Sequence, residues 1–175
     1  MLKIIAIVIV VAIAGVLGFA ATKPDTFTVQ RATTIKAPPE KIFALINDFR
    51  RWNAWSPWDK KDPLMKRTYV NAMSGKGAVY AWDGNKDVGQ GSMEIIDSVP
   101  PSKIALKLDF VKPFEGHNTV EFTLESKGDA TSVTWAMKGP TPFIGKIIHV
   151  FINMDKMVGG DFEEGLANLK AAAEK

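Results

Sequence analysis

The chain has 175 residues, 46% of them hydrophobic, with 22 basic and 19 acidic side chains, a net charge of +3 and no cysteine. That length suits one domain with a real core plus an appendage. Charges of both signs are interspersed, which excludes the electrostatic footprint of a nucleic-acid binder, and the missing cysteines exclude a disulfide framework and thiolate chemistry.

Ile4 to Ala21, IIAIVIVVAIAGVLGFAA, carries no charged or polar side chain. At 1.5 Å per residue it makes a helix of about 27 Å, close to the hydrocarbon thickness of a bilayer. A cleaved signal peptide would end near Gly18-Phe19-Ala20-Ala21, but the apolar run is longer than a signal h-region, and a retained single-pass anchor over residues 1–21 is the expectation. Lys3 on one side faces Lys23, Arg31 and Lys36 on the other. Those charges favour a cytoplasmic domain, whereas the very short N-terminal tail resembles anchors that export the domain attached to them; the expectation is the exported side. Residues 22–26, TKPDT, form a linker too short to carry the domain far from the lipid, and residues 27–175 form the folded domain.

Phe27 to Ala37 is β-branched and alternating, and reads as a strand ended by Pro38-Pro39. Pro39 then suits the first turn of a helix whose apolar face is Ile42, Phe43, Leu45, Ile46 and Phe49. The stretch RRWNAWSPWDKKDP comes next, with Trp52, Trp55 and Trp58 close together. Pro57 biases Ser56 away from the helical region, so helix stops near Trp55 and Trp58 lies beyond it. Trp52 and Trp55 are expected to pin this segment to the core; Trp58 is placed either there or at the rim of a binding site.

From Lys66 onward the period shortens to two. Tyr69, then Ala78, Tyr80 and Trp82, then Met93 and Ile95 mark strands separated by glycine-rich turns. Ile104 to Phe110, Val120 to Leu124 and Val133 to Met137 alternate in the same way, giving one-sided antiparallel strands. The chain closes with a long amphipathic helix in which Val158, Phe162, Leu166, Leu169 and Ala173 recur at helical spacing. Gly159, Gly160 and Gly165 each cost up to about 1 kcal/mol relative to alanine there, which points to close approach by a strand or a ligand.

The segments IKAPPEKIFALINDFRRWNAWSPW, GQGSMEI, SVTWAMKG and MDKMVGGDFEEGLANLK, in this order, resemble the helix-grip superfamily of START-like domains and its polyketide cyclase/dehydrase-type branch. The resemblance implies an α+β fold in which a curved antiparallel sheet wraps around a long C-terminal helix, with a cavity between them. It does not fix a function, because such domains include cyclases, lipid carriers and hormone receptors.

A cavity of that kind would be lined by Tyr80, Trp82, Leu108, Phe110, Trp135 and Met137 from the strands, by Phe143, Ile147, Phe151, Met154 and Val158 around the helix start, and by Trp58 at its mouth. The same side chains would equally fill a solid core. The expected ligand is a hydrophobic small molecule or lipid, oriented by groups such as Tyr80, His117 or Arg67. The alternative is a cyclase or dehydratase in which His117 and Glu121 move protons; both lie on the strand side opposite Val120 and Phe122, so they serve catalysis only if that side faces the cavity. A third alternative is a protein-interaction module at the membrane surface around Trp58. His117 and His149 have no ligand spacing, DGNKD lacks a full calcium loop, and no P-loop or dinucleotide fingerprint occurs, so neither metal nor cofactor is expected.

Overall fold

A computed structural model describes Met1–Lys175. Helix α1, Leu2–Ala21, is followed by β1, Thr26–Ile35, then by α2, Pro39–Ile46, a 3-10 helix, Phe49–Ala54, and α3, Pro57–Lys61. Six strands come next: β2, Lys66–Asn71; β3, Ala78–Asp83; β4, Gln90–Val99; β5, Lys103–Lys112; β6, Gly116–Lys127; and β7, Ala130–Pro140. Helices α4, Phe143–Phe151, and α5, Met154–Ala173, end the chain.

The seven strands form one antiparallel sheet in the order β1-β7-β6-β5-β4-β3-β2, so β1 crosses over to pair with the last strand. Ile96 is the extra residue of a bulge between β4 and β5, the kind of insertion that bends a sheet. One face is concave and apolar. Its inward row runs Val29, Met137, Val120, Leu106, Ile95, Ala78 across the strands, and all six are buried. Helix α5 lies against β1, while α2 and the 3-10 helix close on β6 and β3. The fold is the helix grip that the sequence implied.

The expected long C-terminal helix is α5, which carries Val158, Phe162, Leu166, Leu169 and Ala173, but the apolar segment before it is a separate helix. Helices α4 and α5 are divided because Ile152 adopts an extended backbone and the Asn153 side chain caps α5 by accepting from Lys156 N at 3.0 Å. Two of the glycines in α5 admit neighbours: a side chain at Gly159 would collide with the Arg31 guanidinium, and one at Gly165 would stand 2.7 Å from the Trp135 ring. Arg31 uses that space to bridge β1 to Asp155 and Glu163 of α5, at 2.9 and 2.6 Å.

The tryptophan segment folds as its prolines dictate. The 3-10 helix ends at Trp55, and Pro57 starts α3, which carries Trp58 separately. Trp52 Nε1 donates to Ile46 O at 2.8 Å and Trp55 Nε1 to Leu45 O at 3.2 Å. Both acceptors lie in the last turn of α2, whose carbonyls have no partner within the helix. These two rings therefore cap α2 and fill the core.

Candidate functional site

The middle of the grip is closed. Trp135 stacks on Phe162 of α5 with ring centroids 4.0 Å apart and planes 10° apart, and Trp55 and Phe122 pack edge-on or tilted around the same ring. Trp135 and Met137 belong to this sealed core. The Trp135 indole N–H is buried there without an acceptor, and the Trp58 ring stands edge-on to Trp135 with centroids 5.9 Å apart.

Toward the end where β3 and β5 finish and β4 and β6 begin, the concave face is less covered. The row Phe27, Gly139, Asn118, Leu108, Met93, Tyr80, Tyr69 crosses all seven strands, and Phe27, Asn118, Met93 and Tyr69 in it are only half-buried although they point inward. Phe110 beyond them is also half-buried and meets the edge of Trp82, which itself stacks on Tyr80 at 5.9 Å. Val158 at the start of α5 and Trp58 on α3 are half-buried too. Tyr80, Trp82, Leu108 and Phe110 thus share one apolar end of the grip, and Met93 and Asn118, which were not among the expected lining residues, stand among them.

A polar cluster borders this end. Asp59 on α3 accepts from Arg67 Nε at 2.8 Å and also from the Nη2 group, and Arg67 donates as well to Met65 O. Burial works against the charge on Arg67 and is the largest single influence, yet the hydrogen bond and the charge of Asp59, with smaller contributions from Tyr80 and Tyr69, together outweigh it and raise its pKa. Burial, then the charge of Asp59, raises the Tyr80 hydroxyl far above its ordinary value, so it stays protonated at neutral pH. Asp59 was not foreseen, since its partner lies on another element and no short-range spacing connects the two. Helix α3, which presents Trp58 and Asp59, is fastened to α5 by Lys61 to Asp161 at 2.6 Å and Lys60 to Glu164 at 3.4 Å.

The remaining expected residues lie elsewhere. Phe143 and Phe151 point outward and are 50% and 72% exposed, because α4 turns its apolar stripe away from the sheet. Phe151 and Met154 line a concavity of about 340 Å³ at the α4–α5 junction, together with Lys23, His149, Val150, Ile152 and Asn153. Ile147 is half-buried on α4. A second, smaller concavity of about 220 Å³ lies beside α2, outside the grip.

His117 and Glu121 occupy the convex face, which corrects the premise of the proton-transfer reading. Glu121 pairs with Lys103 at 2.9 Å, and His117 Nδ1 stands 2.6 Å from Asp109 Oδ1, with Lys107 at 2.8 Å from the other oxygen of that carboxylate. The hydrogen bond to Asp109 raises the His117 pKa. Burial opposes ionisation of Asp109, but the bonds from Lys107 and His117 prevail and lower its pKa. The inward parity of the strand is taken by Val120, Phe122 and Leu124, so these ion pairs are a solvated outer surface.

Comparison with solved structures gives the same fold at low identity. Ginseng major latex-like protein 151 from Panax ginseng superposes with a TM-score of 0.62 at 13% identity, covering 87% of this chain and all of its own, 100%. Protein CV1439 from Chromobacterium violaceum gives 0.61 at 14%, with 87% and 99% covered. The Aha1 dimer from Colwellia psychrerythraea gives 0.60 at 16%, with 85% and 96% covered. No protein of curated function matches. The sequence profile of a family described as "Polyketide cyclase / dehydrase and lipid transport" matches residues 26–174. With that profile spanning nearly the whole folded part, the chain belongs to the polyketide cyclase / dehydrase and lipid transport family.

Proposed function

We propose that this protein is a membrane-tethered carrier or receptor domain that binds an apolar small molecule or lipid at the open end of the grip. The ligand would lie over Tyr80, Trp82, Leu108, Phe110 and Met93, with Trp58 and Val158 at its flank. The observation that carries this is the group of inward-facing yet half-buried residues, Met93, Asn118 and Phe110, at one end of a concave face whose middle is sealed. Family membership adds to it. So does α1, a helix of 20 residues with mean hydropathy 3.0, long and apolar enough to cross a membrane. On this proposal α1 is a retained anchor and the domain lies on the exported side, close to the bilayer.

Affinity would come from apolar burial, about 0.8 kcal/mol per methylene, with the Tyr80 hydroxyl, the Asn118 amide and Arg67 orienting a polar head. The test is a chain-length series of fatty acids or alcohols titrated into the full-length protein in detergent. Kd should fall about fourfold for each added methylene until the chain outgrows the space, since 0.8 kcal/mol is a little over half of a tenfold step. Met93→Trp, which fills the space, should abolish binding while leaving the unfolding temperature near that of the parent. A Kd independent of chain length, or a Met93→Trp protein that binds as before, would refute the proposed site.

A further inference from the structure

Helix α4 is amphipathic the wrong way round for a helix in water. Phe143, Ile144, Ile147 and Phe151 are related by helical spacings of three, four and seven, which set them on a single stripe. Phe143, Ile144 and Phe151 are exposed, by 50%, 66% and 72%, and Ile152 and Met157 just beyond continue the exposed apolar surface at 42% and 54%. The buried residue of this helix is Lys146, on the opposite side, where its ammonium pairs with Asp25 of the linker at 2.6 Å. The backbone reinforces that link, with Thr141 N donating to Asp25 O at 2.7 Å. Folding has thus placed the charge inward and the large apolar side chains outward.

The neighbour of α4 says what lies outside. Helix α1 packs against α4, and along α1 only Val16 and Ala20 are shielded, at the i, i+4 spacing of one face. Val16 lies five residues before the end of α1 at Ala21, about 7.5 Å along the axis, so α4 touches the apolar span inside its last turns. Helices that rest in a bilayer interface sit about 5–10 Å into the boundary between headgroups and acyl chains, the same depth.

We infer that α4 is an in-plane interfacial helix whose outward stripe of Phe143, Ile144 and Phe151 is immersed in the bilayer surface next to the α1 span. The inference rests on α1 being a membrane anchor. It fixes how the domain sits: the α4–α5 junction, with Lys23 and the exposed Lys156, lies at headgroup level, and the turn joining β6 to β7, at the end of the sheet opposite the start of β1 and the end of β7, projects away from the membrane. Lys146 and Asp25 hold α4 to the linker, so the helix cannot drift from the anchor.

The absence of native cysteine makes depth measurement direct. Val8→Cys, Ile144→Cys, Phe151→Cys and Asp129→Cys each carry one spin label at an exposed position, so folding is little disturbed. The full-length proteins are reconstituted in vesicles of phosphatidylcholine and phosphatidylglycerol, and collisions with membrane-dissolved oxygen are compared with collisions with a water-soluble nickel chelate. Expected are oxygen-dominated collisions at Val8, Ile144 and Phe151, reversed at Asp129. Val8 in lipid with Ile144 and Phe151 as wet as Asp129 overturns this inference and leaves the anchor standing. Val8 in water overturns the anchor, and the inference falls with it.

Discussion

Replacing Gly165 by alanine sets two effects of opposite sign against each other. In an open helix interior the change adds about 1 kcal/mol of stability. At Gly165, however, the new methyl would stand 2.7 Å from Cζ3 of Trp135 and 3.3 Å from Cδ of Pro57, neither of them the tip of a flexible chain. Trp135 has no room to retreat, since Phe162, Phe122, Trp55 and Trp58 surround its ring. Overpacking by one methyl costs about 1–3 kcal/mol, so the net result is a loss of about 1 kcal/mol. Gly160 supplies the comparison: nothing lies within 4 Å of its Cβ position, and Gly160→Ala should gain about 0.5–1 kcal/mol. The two variants then differ by about 2 kcal/mol, or about 4–8 °C in Tm for a domain of this size. Thermal and urea unfolding of the full chain in detergent reads both. Equal stabilisation by the two substitutions would refute the contact between α5 and β7.

Asn153→Ala removes the cap of α5 and should destabilise the domain by about 1 kcal/mol, with hydrogen exchange rising first in the opening turn of that helix. His117 should titrate above 6.5 by NMR, and Asp109→Asn should return it toward that value. Because the folded pKa is the higher one, the stability that His117 contributes is fully present below the unfolded value and is lost as pH rises through the folded one. Glu121→Gln should leave ligand affinity unchanged, since Glu121 pairs with Lys103 on the convex face; a tenfold loss would contradict that placement.

The strands were legible because burial on one face writes a period of two into the sequence. Ile104, Leu106 and Leu108 are buried, and Lys107 between them is exposed, as the alternation requires. The same parity placed His117 and Glu121 opposite Val120. Prolines were equally informative, with Pro57 separating Trp58 from the two capping tryptophans. The break between α4 and α5 was not legible, because apolar residues keep helical spacing from Phe143 through Val158 and only Asn153, with Asp155 after it, marks a new start. Nor could local pattern reveal that α4 faces outward: its stripe looks like any core-facing helix until Lys146 is seen bound to Asp25. The Asp59 to Arg67 pair and the Arg31 clamp over Gly159 depend on which elements become neighbours, which periodicity does not encode.

Methyl NMR with labelled methionine tests the binding site most directly, because the seven methionines sample distinct surroundings. Met93 stands at the open end of the grip, Met137 in its sealed core, and Met73 and Met157 in the open. On adding a medium-chain fatty acid, the Met93 methyl should shift and show NOEs to the acyl chain, while Met73 stays unmoved. Saturating ligand that shifts only Met73 or Met157, with no NOE to Met93, would contradict a ligand site inside the grip.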